Sequence, residues 1–384
     1  MLRFMTAGES HGPGLVTIVE GLPKGLPVSA DDFRHELARR RMGYGRGKRM
    51  AIEQDELEIL GGVRHGHTLG SPVAVVIRNT EWPRWSEEMS PEPAIAKKEV
   101  TRPRPGHADL AGMLKYGTDD ARDILERASA RETAARTIAG VLAKRLLATV
   151  DIEVISHVVS IGTVVSKATP GRGDGPIVDE SPVRCFDPSA GTAMVTAIDD
   201  AHDRRDTLGG VFEVLGFGVP PGLGSHVQHD RRLDALLAAG LMSIPAIKGV
   251  ELGDGFEVAG LPGSQAHDEI ILDPDGLSRP TNRAGGTEGG ISNGQTIRAR
   301  AAMKPISTLM RPLRTVDMTT GEPADAVRER SDVCAVPAAG VVGEQMVAVV
   351  LAAELQRKFG GDTVDELVAA HQRFVAEIAK RPGR

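Results

Sequence analysis

Aromatic side chains are scarce in this chain. Two Trp, two Tyr and eight Phe make up 3% of its 384 residues. Proteins that bind single-stranded nucleic acid stack the bases on aromatic rings, so the scarcity argues against that function. The formal net charge of −6 argues in the same direction, because nucleic-acid-binding domains usually carry a basic excess.

Cysteine is nearly absent and forms no ligand pattern. Cys185 and Cys334 stand alone, without the CxxC or His/Cys spacing that binds zinc. Two free thiols are typical of a reducing compartment. The N-terminus shows no secretory signal, and no uninterrupted apolar run is long enough to span a bilayer. We therefore expect a cytoplasmic protein that holds no metal and does not enter a membrane.

Glycine, by contrast, is abundant at 45 residues, and it frames the most informative motif, Gly8-Glu9-Ser10-His11-Gly12. A hydroxyl and an imidazole side by side suit proton transfer or anion binding. The pattern also fits the G-x-S-x-G nucleophile elbow, which requires a helix after the serine. The residues at 15–19 are Leu-Val-Thr-Ile-Val and predict a strand instead. A hydrolase is therefore disfavoured, and a glycine-rich hairpin without chemistry remains the alternative.

Positive charge is concentrated in two segments. Residues 34–49 contain seven Lys or Arg and only one acidic residue, Glu36. Residues 97–107 contain two Lys, two Arg and one His. Glycines frame Arg46, and prolines alternate with Arg102 and Arg104. Arginine in stiff segments favours bidentate binding of carboxylate or phosphate. A solvated basic face and a nucleic-acid surface are the alternatives to a site for a small polyanion.

Periodicity predicts a mixed α+β protein without a regular βαβ repeat. The predicted helices span residues 29–41, 119–150, 231–242, 344–358 and 362–380. The predicted strands span residues 2–6, 15–19, 73–77, 152–165, 211–217 and 247–252. The segments 79–98 and 168–187 are rich in Pro, Gly and acidic residues and predict surface loops.

The nucleotide-binding motifs mostly fail. Gly216-Phe217-Gly218 is followed by prolines, which would block the helix that a dinucleotide fingerprint opens. The lysine of residues 43–49 is not followed by Ser or Thr, so this segment is not a P-loop. Residues 285–294 are rich enough in glycine to cradle a phosphate, and Lys304 with two downstream hydroxyls and Arg330-Ser331-Asp332 are further weak signals.

Taken in order, these segments resemble the signature blocks of the chorismate synthase family. The resemblance extends over essentially the whole chain. The blocks that carry it are Gly8–Gly12, Arg39–Gly47, Arg102–Asp109, Glu126–Thr133, Gly285–Gly294, Lys304–Thr308 and Arg330–Asp332. The loops at 79–98 and 168–187 carry no signature of the family.

The resemblance implies a reaction, a cofactor and an architecture. Family members remove phosphate and a proton from 5-enolpyruvylshikimate 3-phosphate in a 1,4-anti elimination that gives chorismate. They use reduced FMN without net redox change, and the resemblance leaves open whether NADPH is the external reductant. It further implies a single-domain β-α-β sandwich over residues 1–384 and a homotetramer.

The resemblance also assigns roles to residues. His11 would act at the leaving phosphate and His107 near the flavin, while Asp332 with Ser10 would serve as the base on the N5 side of the flavin. The substrate would be bound by Arg40, Arg46, Arg49 and Arg104. FMN would be held by Arg127, Ala128, Ser129, Pro245, Ala246, Gly289, Lys304, Pro305, Ile306, Ser307, Thr308 and Arg330. In the alternative readings His11 packs structurally behind Ser10 and Asp332 caps a turn.

Overall fold

The predicted mixed α+β class is confirmed by a computed structural model. The structure describes residues 2–46, 55–93, 95–274, 276–328 and 332–380. The predicted site residues Arg49 and Arg330 lie outside these ranges.

The strands are short, and most of them lie in two antiparallel sheets. In chain order they are β1 (Arg3–Ala7), β2 (Gly14–Glu20), β3 (Glu56–Gly61), β4 (Val63–Arg64), β5 (His67–Thr68), β6 (Val73–Arg78), β7 (Glu153–Ile161), β8 (Val164–Val165), β9 (Gly210–Phe217), β10 (Ile247–Leu252), β11 (Ile271–Asp273), β12 (Gly276–Ser278), β13 (Thr287–Glu288), β14 (Ile291–Ser292), β15 (Ile297–Met303), β16 (Arg314–Val316) and β17 (Pro323–Asp325). The first sheet has the order β1-β2-β6-β3 and the second the order β10-β15-β9-β7-β8.

The helices range from one turn to more than six turns. In chain order they are α1 (Ala30–Arg41), α2 (Trp82–Trp85), α3 (Asp109–Tyr116), α4 (Arg122–Leu125), α5 (Thr133–Ala148), α6 (Gly175–Glu180), α7 (Pro188–Asp203), α8 (Leu233–Met242), α9 (Gly255–Val258), α10 (Gly263–Ala266), α11 (Val336–Phe359) and α12 (Val364–Ile378). Short 3₁₀ turns occur at Ala130–Glu132 and His229–Arg231.

Two helices, α5 and α11, lie between the two sheets. Helix α5 packs on β1 and β2, and α11 packs on β7 and β9, while the two helices contact each other along their length. The Thr17 hydroxyl on β2 donates to the Ala135 carbonyl on α5 at 2.8 Å. Glycine allows α11 to approach the second sheet, since a Cβ at Gly343 would lie 2.4 Å from Cε2 of Phe212. The core is therefore a helical layer enclosed by two sheets.

Helix α11 begins at Val336, eight residues before the predicted start at 344, and it is long and apolar enough to span a membrane by composition alone. In the structure 89% of its most apolar window is buried inside the protein. Its apolar surface is thus covered by α5 and the second sheet rather than by lipid.

The long helix predicted over residues 119–150 is wrong in its first half. The chain forms α4, then the 3₁₀ turn Ala130–Glu132, and only then α5. Ser129 causes the break, because its backbone is extended (φ −65°, ψ 142°) and its hydroxyl accepts from the amide of Arg131. The predicted surface loops at 79–98 and 168–187 contain the short helices α2 and α6.

A buried cluster of charges ties α11 to α1 and α5. The fully buried carboxylate of Glu344 accepts hydrogen bonds from Arg39 on α1 at 2.7 Å and from the Ser156 hydroxyl at 3.1 Å, and it is paired with Lys144 on α5. Burial alone would raise the pKa of Glu344, but Arg39 and Lys144 outweigh it and hold that pKa well below its usual value. This carboxylate stays ionised in the folded protein.

We expect Glu344→Gln to lower the free energy of unfolding by about 3 kcal/mol, because it leaves buried cations without their partner charge. Urea denaturation at pH 7 measures the loss. The pKa of Glu344 is lowered on folding, so its contribution is complete above the unfolded pKa and disappears as the pH falls through the folded value. The control is Glu58→Gln in the exposed pair with Arg78, which we expect to change stability by about 0.5 kcal/mol or less. Equal effects in both variants would contradict this role.

Candidate active site

Most of the predicted site residues meet in one cavity of about 570 Å³. It lies where the ends of α1, α4 and β15 approach the first turns of α11. The predicted residues that line it are Ser10, His11, Arg40, Arg46, Arg104, His107, Ala128, Ser129, Pro245, Ala246, Lys304, Pro305, Ile306, Ser307, Thr308 and Asp332. Residues separated by more than 300 positions in the sequence thus share one site.

Two predicted residues of the described chain lie elsewhere. Arg127 is not among the residues that line this cavity, and its guanidinium donates to the backbone carbonyls of Thr6 and Gly8, each at 3.0 Å. It therefore anchors the start of the Gly8–Gly14 loop. Gly289 sits exposed in the turn between β13 and β14, with no neighbouring atom near the place that a Cβ would take.

The Gly8–Gly14 loop connects β1 to β2 and carries His11 into the cavity wall. Gly8 has φ +103°, and a Cβ there would lie 2.2 Å from the Gly14 carbonyl oxygen, so only glycine allows this tight loop. The Ser10 amide donates to the Glu126 carbonyl at 3.0 Å, and the Ser10 hydroxyl accepts from the Ser129 hydroxyl at 3.2 Å. The loop is thereby fixed to the segment between α4 and α5.

The second histidine, His107, is held by a buried carboxylate. Nδ1 of His107 is hydrogen-bonded to Asp109 at the start of α3. Asp109 also accepts from Nε of Arg104 at 2.8 Å, and Nη1 of Arg104 donates to the Thr308 hydroxyl at 3.1 Å. Burial would raise the pKa of Asp109, but His107 and Arg104 outweigh it and keep that pKa well below its usual value. An ionised aspartate therefore orients both side chains.

Arginines supply the positive charge of the cavity. Nη1 of Arg46 lies 2.7 Å from Oδ2 of Asp332, so these two predicted residues form an ion pair across the site. Arg40 is 4% exposed, and its guanidinium donates to the Thr133 hydroxyl and to the Ala130 carbonyl, both at 2.8 Å. Side chains held this firmly lose little further entropy when they bind an anion.

The segment after β15 brings a cation and two hydroxyls to the cavity. The amide of Lys304 donates to the carbonyl of Ala246, which has a left-handed backbone with φ +69°. The ammonium of Lys304 contacts the Gly106 carbonyl. Burial and the nearby Lys248 lower the pKa of Lys304. Ser307 and Thr308 also line the cavity.

Three important residues were missed by the sequence reasoning. Glu126 and Asp109 hold the two histidines, and Arg131 lines the cavity while its guanidinium pairs with Asp55 at 2.6 Å. All three stand inside the blocks at 102–109 and 126–133. Their position inside these blocks was the signal that could have identified them. A contact across 115 residues, such as that of His11 with Glu126, has no local sequence pattern.

A cationic cavity with two carboxylate-oriented histidines is typical of an enzyme that performs acid–base chemistry on a small polyanion. Comparison with known proteins makes the class specific. The family model of chorismate synthase matches residues 2–355. The chorismate synthase of Salinispora tropica is 61% identical over 95% of this chain and 96% of its own length, and that of Acidothermus cellulolyticus is 60% identical over 99% and 100%.

A solved crystal structure of a chorismate synthase has a TM-score of 0.79 and 42% identity, and the match covers 99% of both chains. This chain belongs to the chorismate synthase family. It is a phosphate-eliminating lyase that converts 5-enolpyruvylshikimate 3-phosphate to chorismate, and its family uses reduced FMN.

Proposed function

We propose that the cavity binds reduced FMN and substrate together and carries out the elimination with His11, His107, Ser10 and Asp332. The observation that supports this most directly is the meeting of both histidines, the arginines and the Lys304–Thr308 segment in one cavity. A binding protein without chemistry would not need two histidines whose Nδ1 atoms are both held by buried carboxylates.

The lining of one part of the cavity fits FMN. The lining includes small apolar side chains, against which a flat ring system would pack: Ala128, Ala246, Ala338, Ala339 and Val342. The polar groups that suit a ribityl chain and a phosphate belong to Lys304, Ser129, Ser307 and Thr308. Together with Pro245, Pro305 and Ile306, these are the residues we propose to hold FMN. We include Arg127, Gly289 and Arg330 among its contacts on the family resemblance alone.

The substrate carries two carboxylates and a phosphate, and the arginines of the cavity complement this negative charge. We propose that Arg40, Arg46 and Arg104 bind it, together with Arg49 by resemblance. Arg46 starts in an ion pair with Asp332, so an arriving carboxylate or phosphate competes for a guanidinium that is already ordered. The arginines are themselves largely buried, since Arg40 is 4% and Arg104 6% exposed, and partial exclusion of water strengthens such interactions.

Phosphate departure and proton removal are the two events that the residues must support. Reduced FMN, when bound in the cavity, would supply electron density for cleavage of the C–O bond to phosphate. His11 neutralises the charge that develops on the leaving phosphate. His107, which Asp109 orients, is the histidine that we propose to lie near the bound flavin. The Asp332 carboxylate would accept, through the Ser10 hydroxyl, the proton that the elimination releases.

Anaerobic mixing of the protein with photoreduced FMN and substrate tests the activity together with the cofactor assignment. We expect phosphate release and chorismate absorbance in equal amounts, with no net oxidation of the flavin. We further propose that NADPH can serve as the external reductant. Replacing photoreduction by NADPH with oxidised FMN tests this, since NADPH consumption before the first turnover would support it. Product formation only after photoreduction would assign the reduction to an outside source.

Arg104→Lys should weaken substrate binding by roughly 10- to 100-fold, because a lysine keeps the charge but cannot reproduce the planar fork of donors. FMN binding should change far less. The substrate KM from steady-state assays is compared with the Kd of FMN from fluorescence quenching. Equal losses of both affinities would place Arg104 at the flavin instead.

We also propose that residues 1–384 form one sandwich domain, that four chains assemble, and that the protein is cytoplasmic. The outward face of the first sheet supports assembly, because Met5 is 71% exposed and pairs across the strands with the exposed Ile18. Analytical ultracentrifugation measures the state. A monomer at micromolar concentration would contradict the tetramer.

A further inference from the structure

The ring of His11 is held on two sides by residues outside the set that we propose to act on substrate or FMN. Glu126 binds one edge of the imidazole, and Trp85 covers one face. Trp85 lies on α2, inside the segment 79–98, which carries no signature of the family. Both residues are candidates for positioning His11 rather than for contacting the substrate.

Glu126 holds His11 by side chain and by backbone. Nδ1 of His11 lies 2.9 and 3.0 Å from the two carboxylate oxygens, and the His11 amide donates to Oε2 at 2.9 Å. The Glu126 side chain is 1% exposed and also accepts from Nη1 of Arg122 at 3.0 Å. Burial would raise the pKa of Glu126, but His11 and Arg122 outweigh it and the pKa is lowered. An ionised carboxylate at Nδ1 leaves Nε2 as the atom for proton exchange with a ligand.

Trp85 restricts the ring in the other direction. The indole and the imidazole are stacked with centroids 4.1 Å apart and planes at 29°. On the indole itself lie two cations, Nζ of Lys98 at 4.3 Å and Cζ of Arg122 at 5.0 Å from the ring centroid. Arg122 therefore joins both holding groups, since it binds the Glu126 carboxylate and packs on the Trp85 ring.

We propose that Glu126 and Trp85 are positioning residues that fix the imidazole of His11 in one orientation, with Nδ1 bound to the carboxylate and Nε2 directed to the leaving phosphate. Glu126 sets which nitrogen is engaged, and Trp85 sets the plane of the ring. This inference rests on the proposed role of His11 in the elimination. Its claim about the orientation of the ring is independent of that role.

Turnover of paired variants tests the coupling to catalysis. We expect Glu126→Gln to lower kcat by roughly 10-fold or more, as for other carboxylates that orient a catalytic histidine, with substrate KM and FMN Kd within about 3-fold. Trp85→Leu should lower kcat by a smaller factor. In a His11→Ala background neither change should reduce kcat further, because the residue they position is gone. Full additional losses in that background would overturn the proposal.

Two matched variants serve as controls. Glu132→Gln removes a buried carboxylate that binds Thr6 and Arg136 and does not line the cavity, and Trp82→Leu removes the other tryptophan of α2. We expect both to keep kcat within about 3-fold. Losses that match those of Glu126→Gln and Trp85→Leu would show a general effect of mutation in this region and overturn the assignment.

Histidine-selective NMR of the FMN-free protein tests the orientation without activity. His11→Gln identifies the signal of His11 among the eleven histidines. Glu126→Gln should shift its ring-nitrogen signals, and Trp85→Leu should shift its ring-proton signals through loss of the indole ring current. Unchanged His11 signals in both variants would overturn the inference. Shifted signals combined with normal turnover of His11→Ala would uphold the orientation and refute the proposed role of His11.

Discussion

His11→Ala should lower turnover by roughly 10²-fold or more, which is the usual contribution of a positioned proton donor. The imidazole is the group that we propose to neutralise charge on the departing phosphate, and its carboxylate partner, Glu126, is buried and ionised. The loop should still form, because Gly8 and the backbone bond from Ser10 to Glu126 do not depend on the imidazole. Anaerobic steady-state assays measure the loss, and fluorescence quenching measures the binding of FMN.

His67→Ala is the matched control for His11→Ala. His67 lies on β5, is exposed and has its Nδ1 bonded to the carbonyl of His65, so its removal should leave turnover within about 2-fold. A turnover of His11→Ala within threefold of the unmodified protein would exclude His11 from the mechanism. A large loss of stability with little loss of kcat would instead identify His11 as a packing residue behind Ser10.

Asp332→Asn should slow the single-turnover rate of chorismate formation by roughly 10²-fold while FMN and substrate bind almost normally. The substitution is nearly isosteric, and the amide oxygen can still accept from Nη1 of Arg46, which lies 2.7 Å from the carboxylate. It therefore removes the charge of a proton acceptor without removing its shape. Rapid-quench measurement of a single turnover separates this chemical step from product release.

Ser10→Ala should show a related defect, and the double variant should be little slower than the poorer single variant, because residues that act as a unit do not add. Asp199→Asn is the control. Asp199 accepts from the hydroxyl of Tyr44, which stands two residues before Arg46, but it does not line the cavity. Normal single-turnover rates in Asp332→Asn would leave Asp332 with a structural role, as the partner of Arg46.

Local chemistry explains which parts of the fold the sequence predicts. Helix α1 is predicted over residues 29–41 and forms at Ala30–Arg41, because its start is marked locally by Ser29 and Asp32, which form a capping box within four residues. Strand β15 is missed, because the sequence Ile-Arg-Ala-Arg-Ala-Ala-Met is poor in β-branched residues and becomes a strand only by pairing with β9 and β10. The break at Ser129 is missed for a similar reason, since apolar periodicity continues across it.

The site residues, like the helices and strands, are predicted where local sequence marks them and missed where they depend on tertiary packing. Gly8–Gly12 and Lys304–Thr308 are short segments whose residue types indicate proton transfer or anion binding, and residues of both segments line the cavity. Trp85 and Glu126 have no such pattern, because their relation to His11 exists only after strands and helices distant in sequence have packed. The resemblance supplied the grouping of the segments, while the contacts within the group depend on tertiary structure.

Helix α11 connects the interior of the protein to the cavity, and this has a practical consequence. Its first turns carry Ala338, Ala339 and Val342 on the cavity wall, while the rest of the helix packs between the sheets. A compound that occupies the cavity therefore contacts a helix that is central to the core. Because such a compound binds the folded state and not the unfolded state, it raises the melting temperature by mass action. Thermal-shift screening should accordingly detect cavity ligands, including inhibitors, without any flavin reduction or coupled assay.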